Sequence, residues 1–238
     1  MKLTKMQTKN NERIDAWVKG TAFQENARSK PSVPVLTTEE VLRDYTPQIP
    51  ESTAQYFTPL EAAQEVAGYM TESVVLDPCA GIGSLIYPFY DCTPTIYAWE
   101  MEPRAYEVGR KLFPNARWTL GNAFEIFSND GVEKFKLFGC VVMNPPFNIQ
   151  WGLSSAEKWT ISGAKKSEHL FMELAIRAVI PGGMILAILP SLFMNTLPAK
   201  FSTWFYQRAV VDASWPLNAK FKFTGANTNL YYIRRKEE

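Results

Sequence analysis

The feature that most constrains this chain is an alternation of short apolar, β-branched runs with helical segments. Four such runs, at 74–76, 95–99, 117–120 and 137–143, are each followed by a turn or a helical pattern. Alternation of this kind predicts a doubly wound parallel sheet, because parallel strands need crossover connections. The pattern resumes after a long irregular segment, 148–166, and gives about seven strands in one α/β domain.

A polar residue lies within two residues of the end of each of these four runs: Asp77, Glu100, Asn122 and Asn144. In an open α/β sheet, ligands bind beyond the carboxyl ends of the strands, where the strand order reverses. The four side chains are therefore predicted to lie along one sheet edge and to mark a binding site.

The segment Asp77-Pro-Cys-Ala-Gly-Ile-Gly83 follows the first run and contains a Gly-x-Gly pair. Glycines let a ligand approach backbone N–H groups closely, but the same pattern also fits a tight turn with no ligand. Glu100 lies 17 residues beyond Gly83, where a carboxylate can accept both hydrogen bonds of a ribose diol. A solvated carboxylate at a strand end is the alternative.

Asn144-Pro145-Pro146-Phe147 is the most informative tetrad. Two prolines fix φ and remove two N–H donors, so the turn presents acceptors: the Asn144 side-chain oxygen and the Pro145 carbonyl. Accepting both hydrogens of a planar NH2 group favours its pyramidal, nucleophilic form. Phe147 is predicted to stack on the planar substrate. A proline-stiffened loop without chemistry is the alternative.

Charge is unevenly distributed along the 238 residues, although the net charge is only +1. Residues 1–30 carry +4 and residues 195–238 carry +4, whereas 31–147 carry −8. The basic ends suit a phosphate-backbone partner or a solvated surface. Three cysteines and no 18-residue apolar run exclude a disulfide framework and a membrane span, and they predict a cytoplasmic protein.

Residues 1–50 are predicted to form an arm with short helices, mobile or partner-dependent. One helix is expected near Ile14 to Phe23, and a Thr37/Glu40 capping box predicts a second that ends at Asp44. The predicted catalytic domain covers 51–238 and includes a helix from Thr58 to Met70 and another from Ser84 to Phe89.

Five motifs occur in one order from about residue 52 onward: Tyr56-Phe57-Thr58-Pro59, 77–83, Glu100, Gly121-Asn122-Ala123-Phe124 and 144–147. In this order they resemble the S-adenosylmethionine-dependent N6-adenine DNA methyltransferases, especially the modification subunits of type I restriction systems and TaqI-like enzymes. Residues 221–229 are similar to that family's link into its last strand. The resemblance implies a Rossmann-like class I methyltransferase fold, a seven-stranded, mostly parallel sheet with helices on both faces.

The resemblance also implies roles for individual residues. Asn122 departs from the family, which usually has Asp there, but Asn still accepts a hydrogen bond from the adenine amine. The implied S-adenosylmethionine contacts are Phe57, Thr58 and Pro59 near the methionine end, Asp77, Ala80, Gly81 and Gly83 at its amino and carboxylate groups, Glu100 at the ribose, and Met101, Asn122 and Phe124 around the adenine. The implied catalytic residues are Asn144, Pro145, Pro146 and Phe147, with no metal.

The implied reaction is direct methyl transfer to adenine N6, with the base flipped out of the DNA. The segment 148–166, which contains Trp151, Lys158, Trp159 and Lys165, is expected to lie over that pocket or to be a surface loop. The sequence shows no target-recognition domain, so readout is expected from a specificity subunit, from a homodimer, or from weak phosphate contacts.

Three alternatives remain from sequence: an RNA adenine methyltransferase, a protein-glutamine methyltransferase, and a non-catalytic subunit of a methyltransferase complex. Among other residues, His169 is predicted to be structural or exposed, and Cys79 to be a small packing residue. The aromatic residues 204–206 are predicted to pack on a helix, and 234–236 to form a solvated or phosphate-contacting tail.

Overall fold

The sheet and the helices are defined in a computed structural model that describes residues 3–47, 57–72, 74–92, 95–127, 138–150, 160–219, 221 and 227–237. In these ranges the helices are α1 (Lys5–Lys19), α2 (Thr38–Asp44), α3 (Leu60–Ala67), α4 (Pro103–Leu112), α5 (Ser167–Ala178) and α6 (Ala199–Arg208). The strands are β1 (Val74–Asp77), β2 (Thr95–Glu100), β3 (Arg117–Leu120), β4 (Phe138–Met143), β5 (Val179–Pro190), β6 (Ala209–Pro216) and β7 (Thr228–Arg235). Short 3-10 helices cover Tyr87–Phe89, Ala123–Phe127 and Met194–Thr196.

The strands form one seven-stranded sheet in the order β3-β2-β1-β4-β5-β7-β6. The first five are parallel, and β7 is antiparallel to both β5 and β6. The prediction of a mostly parallel α/β sheet is therefore confirmed. Strand order reverses between β1 and β4, so the carboxyl ends Asp77 and Met143 flank the switch point at which such sheets bind ligands.

Two apolar cores cover opposite faces of the sheet. One packs α5 and α6, including Leu170, Phe201 and Phe205, against the sheet. The other packs α1 to α4, and includes Ile14 and Val66. Because successive side chains of a strand point to opposite faces, neighbours in β4 serve different cores.

The N-terminal helices are packed on the domain, which corrects the interpretation of this region as a mobile arm. Ile14 of α1 is only 2% exposed, and Arg104 of α4 donates two hydrogen bonds to Asp15, at 2.7 and 2.8 Å. Helix α1 begins at Lys5 rather than near Ile14, because Thr4 and Gln7 form a capping box. The Thr37/Glu40 capping box and the end of α2 at Asp44 are as predicted.

The segment after β1 is not the predicted α-helix. Residues 81–86 form successive turns and only Tyr87–Phe89 is helical, as a 3-10 turn. Pro88 accounts for the difference, since it lacks an N–H donor and disfavours helical geometry in the residue before it. Helix α3 is also shorter than predicted and ends at Ala67 instead of Met70.

Candidate functional site

A cavity of about 310 Å³ opens at the carboxyl ends of β1, β2 and β4, a size within the range of small-molecule sites. Many of the residues singled out by sequence lie in its wall: Phe57, Thr58, Asp77, Ala80, Gly81, Glu100, Met101, Asn122, Asn144 and Pro146. Pro59, Gly83, Phe124, Pro145 and Phe147 are outside the wall. Tyr56 lies outside the described residues.

Gly81 brings the loop after β1 against an aromatic wall. Its φ is 58°, and a Cβ at this position would lie 2.7 Å from the Phe57 ring. Its N–H donates to Glu100 Oε2 at 2.8 Å. A side chain at residue 81 would therefore strain the backbone and displace Phe57 from the cavity wall.

Gly83 is a glycine for a different reason. Its φ is 90°, and an added Cβ would lie 2.5 Å from the Phe113 ring, which is buried in the core. The second glycine of the Gly-x-Gly pair is therefore required by packing, and the structure does not bring it to the cavity with Gly81.

Glu100 is held in place by backbone donors. Its two oxygens accept hydrogen bonds from the N–H groups of Gly81 and Glu102, at 2.8 and 2.7 Å. The side chain is 6% exposed, and burial raises its pKa against the lowering effect of these bonds. The carboxylate therefore ties the loop after β1 to the end of β2.

Asp77 carries an unsatisfied oxygen at the cavity. Oδ1 accepts a hydrogen bond from the Cys79 N–H at 3.1 Å, whereas buried Oδ2 has no partner. Burial raises the pKa of Asp77 to about 8, and nearby Glu100 adds to the rise. A buried carboxylate with an unmet acceptor favours a cationic or hydrogen-bond-donating ligand at this point.

Thr58 orients Asn144, a contact that the sequence did not indicate. Thr58 was predicted to cap the next helix, but the N-cap of α3 is Pro59, with no side-chain hydrogen bond. The Thr58 Oγ1 instead accepts a hydrogen bond from Asn144 Nδ2 at 3.0 Å. In this arrangement the amide nitrogen of Asn144 faces Thr58, and the acceptor Oδ1 is at the other end of the amide.

Asn122 uses its side-chain oxygen locally. Oδ1 accepts a hydrogen bond from the Phe124 N–H at 3.0 Å, which leaves the NH2 end of the amide at the cavity wall. Phe124 is 3% exposed and contacts the Phe171 ring at a centroid distance of 4.9 Å. Phe171, from α5, lines the cavity wall, whereas Phe124 does not.

The chain leaves the Asn144 turn along the start of α5. Asn148 has a φ of 57°, and its N–H donates to Glu168 Oε2 at 2.9 Å. Ile149 exchanges hydrogen bonds with Ser167, through the Ser167 hydroxyl and the Ser167 N–H. The turn is thus fixed at both ends. Trp151, Lys158 and Trp159 lie outside the described residues.

Five wall residues were not anticipated from sequence: Ser84, Leu85, Glu102, Pro103 and Phe171. Ser84 is 3% exposed and its Oγ has no partner, so it is a second unsatisfied polar atom at the cavity. Only Ser84 had a sequence signal, since it directly follows the Gly-x-Gly pair.

Several other residues have structural positions. His169 is 1% exposed and stacks on Phe201 at 5.1 Å, which fits the structural alternative; burial lowers its pKa. Cys79 lines the cavity, and burial raises the pKa of its thiol, so it is not an activated nucleophile. Trp204 and Phe205 are buried, while Tyr206 is 50% exposed.

No family model and no curated protein matches this sequence. Solved structures do match. One is assigned as a class I S-adenosylmethionine-dependent methyltransferase of Listeria monocytogenes, with 12% identity over 99% of this chain and 82% of that chain, and a TM-score of 0.68. The fold is that of the class I methyltransferases.

Two further structures share this fold. The modification subunit assigned to a type I restriction enzyme of Vibrio vulnificus YJ016 has 15% identity and a TM-score of 0.66, over 79% of this chain. This chain spans 46% of that protein's length. A Pyrococcus horikoshii protein assigned as an RNA methyltransferase has 17% identity over 82% of this chain and 95% of that chain, and a TM-score of 0.54.

The described residues contain neither a membrane-spanning helix nor a group of metal-ligating side chains. None of their helices combines the length and the apolar character that crossing a bilayer requires. Within the same residues, no three His, Cys, Asp or Glu side chains are grouped as metal ligands.

Proposed function

We propose that this protein transfers a methyl group from S-adenosylmethionine to the N6 amine of adenine in DNA. The single observation that carries the proposal is the shared cavity: the strand-end acceptor Asn144 lines the same wall as the buried carboxylates Asp77 and Glu100. This arrangement supports a cofactor site and an amine-accepting turn that would lie within reach of each other.

The residues present fit the cofactor. Its ammonium and sulfonium groups are cationic, and the unsatisfied Asp77 Oδ2 would accept a hydrogen bond from the ammonium. Glu100, already fixed by two N–H groups, would accept the ribose hydroxyls. When bound, the cofactor supplies an activated methyl group.

The turn at the end of β4 would prepare the nucleophile. Asn144 Oδ1, oriented through Thr58, and the Pro145 carbonyl would accept the two hydrogens of the adenine amine. Drawing both hydrogens out of the ring plane would return lone-pair density to N6 for in-line attack on the methyl carbon. The S–CH3 bond would break as the N–CH3 bond forms, S-adenosylhomocysteine would leave, and one N6 proton would pass to solvent. Phe147, half-buried beside this turn, would stack on the flipped base.

DNA is the substrate we favour. The motif order resembles the DNA enzymes, and a type I modification subunit shares the fold with a TM-score of 0.66. Adenine in RNA and glutamine in proteins also carry a planar NH2 group, so the experiment below includes both as alternative substrates. Because this chain spans under half of that modification subunit, we further propose that sequence readout is supplied by a separate specificity subunit or by a second copy of this chain.

The test is methyl transfer from tritiated S-adenosylmethionine to duplex DNA, single-stranded DNA, RNA and a glutamine-containing protein extract. Nucleoside digestion then locates the label. We expect N6-methyladenine from DNA, and loss of about 100-fold or more in rate for Asn144→Ala, as for removal of one transition-state hydrogen-bond partner. Asn115→Ala, at an exposed asparagine that does not line the cavity, is the matched control.

The outcomes separate the alternatives. If the label is found in RNA or protein instead of DNA, the proposed substrate is wrong but the proposed site is retained. A third outcome is that the isolated chain binds the cofactor but transfers no methyl group, while a complex that contains the Asn144→Ala variant still methylates DNA. The chemistry would then belong to another subunit.

A further inference from the structure

A surface with exposed positive charge lies beside the Asn144 turn. It is formed by residues 160–166 and 191–200. We call its three lysines the lysine rim: Lys165, Lys166 and Lys200. Lys165 and Lys200 are exposed and Lys166 is half-exposed.

Connectivity places the rim close to the turn that holds Asn144. Lys166 forms an antiparallel bridge with Gln150, and Ser167 N–H donates to the Ile149 carbonyl. Lys200 reaches the same strip of chain, since a Cβ on Gly163 would lie 3.2 Å from Lys200 Cδ. The loop after β4 and the amino ends of α5 and α6 therefore meet beside the cavity.

No carboxylate offsets these charges at the described surface of the two segments. Among the described residues, the nearest acids in sequence, Glu168 and Glu173, are 3% and 0% exposed. Glu168 accepts a hydrogen bond from Asn148, and Glu173 accepts several from residues 160–162. Among the described residues, none of the three lysines forms an ion pair within 4.0 Å.

Helix stability does not explain the position of Lys200. It lies in the first turn of α6, which has no acidic residue and no side-chain cap. A cation at the amino end of a helix is electrostatically unfavourable, because the unsatisfied N–H groups there are already positive. A negatively charged partner would remove this repulsion.

The segment 160–162 is held firmly. Thr160 Oγ1 and the Ile161 N–H donate to the Glu173 carboxylate at 2.6 and 2.7 Å, and the Ser162 hydroxyl also donates to it. Arg177 balances the charge of Glu173 at 3.1 Å. This surface also exposes Ile161 and Leu192, 55% and 63% exposed, which offer apolar contact to sugars or bases between the cations.

We propose that the lysine rim binds the phosphate backbone of the DNA strand whose base enters the cavity. This inference rests on the proposed function and adds to it the surface that holds the strand. Lysine heads bind phosphates without reading sequence, so the rim would position the strand and leave base choice to the Asn144 turn and to any specificity subunit.

The test compares two triple variants with equal charge change. Lys165→Gln/Lys166→Gln/Lys200→Gln removes the rim, whereas Lys5→Gln/Lys19→Gln/Lys30→Gln removes three exposed lysines of the N-terminal region. Binding of a fluorescent 20-nucleotide single strand is measured by anisotropy from 50 to 300 mM salt. We expect the rim variant to lower the salt slope of log K by about 2, at roughly 0.7 per phosphate contact, and the N-terminal variant to leave it unchanged.

A third variant checks that charge, not folding, is responsible. Lys165→Arg/Lys166→Arg/Lys200→Arg keeps the charges and should keep the wild-type salt slope. S-adenosylhomocysteine affinity should be the same for all variants, because no rim lysine lines the cavity.

Each outcome has one meaning. If the wild type methylates DNA but the rim variant keeps the wild-type salt slope, the proposed role of the lysine rim is wrong and the proposed function stands. The same conclusion follows if the N-terminal variant lowers the salt slope as much as the rim variant does. When the wild type neither binds nor methylates DNA, both proposals are wrong.

Discussion

Thr58 and Asn144 lie 86 residues apart in sequence and are joined by one hydrogen bond of 3.0 Å. The bond orients an amide whose two ends have opposite hydrogen-bonding character. At the residue scale, the candidate chemistry therefore depends on a hydroxyl that was predicted to cap a helix.

Thr58→Val, which keeps the side-chain shape and removes the hydroxyl, should lower kcat for methyl transfer by roughly tenfold or more, the effect of losing about 1.5 kcal/mol of hydrogen bonding. Thr58→Ser should restore the rate. The affinity for S-adenosylhomocysteine, measured by calorimetry, should change little. Equal kcat for the valine and wild-type proteins would contradict the role given to Thr58.

Asp77 should make cofactor binding release a proton. Burial raises its pKa to about 8, so at pH 7 the carboxyl is mostly protonated before a cation binds. An ammonium group beside it lowers that pKa, so binding at pH 7 releases about one proton per site and strengthens as the pH rises from 6 toward 8.

The measurement is titration calorimetry at pH 7 in phosphate and in Tris, whose ionisation enthalpies differ. The apparent binding enthalpy should differ between the buffers for the wild type and agree between them for Asp77→Asn. Identical enthalpies for the wild type would refute proton release.

Some of the site could be predicted from residues alone, and the reason is local. Asp77, Glu100, Asn122 and Asn144 each lie at or within two residues of the end of a strand, so the strand pattern is enough to place them on one edge. The presence of Phe171 in the wall was not predictable, because it depends on how α5 packs over that edge.

At the scale of elements, the N-terminal helices support the cavity wall through a chain of contacts. Asn11 is 1% exposed and exchanges two hydrogen bonds with the backbone of Thr46, at 2.8 and 3.0 Å. The next residue back, Tyr45, packs against the Phe57 ring at 5.3 Å, and Phe57 lines the cavity. The guanidinium of Arg104 lies over the same Tyr45 ring.

Asn11→Ala should therefore weaken cofactor binding several-fold without a comparable loss of kcat at saturating cofactor. Removing Asn11 leaves the Thr46 N–H and C=O unpaired in a buried place, at a cost of roughly 1–3 kcal/mol in the free energy of unfolding. Asn10→Ala, at the neighbouring half-exposed position, is the control. Unchanged cofactor affinity in Asn11→Ala would separate the N-terminal helices from the site.

Capping boxes and turn signals predicted α2 well, and periodicity predicted the order of strands and helices. The start of α1 and its docking could not be predicted, because docking depends on Arg104, 89 residues away from Asp15. The length of the helix after β1 was misjudged because one proline outweighed an otherwise helical pattern.

At the scale of the whole molecule, the two cores share the strands between them. In β4, Val141 packs into the core under α5 and α6, while Cys140 and Val142 pack into the opposite one. Neither core can lose its packing without exposing residues of a strand that the other needs. The described domain should therefore unfold as one unit.

Phe205→Ala in one core and Ile86→Ala in the other should each lower the free energy of unfolding, by about 3–5 and 2–5 kcal/mol respectively. Both residues are fully buried. In urea, circular dichroism and tryptophan fluorescence should follow one coincident transition in the wild type and in each variant. Two separate transitions, one sensitive to each substitution, would show that the cores unfold independently.

The position of β7 bears on how the protein is made on the ribosome. Strand β6 comes first in the chain, yet β7 lies between β5 and β6 and pairs with both. During synthesis the eight residues of β6 therefore emerge before β7, the one described strand that they pair with, while β5 presents an open edge. Exposed strand edges invite pairing with other chains. A nascent chain stalled before Thr228 is thus the form of this protein most in need of a chaperone.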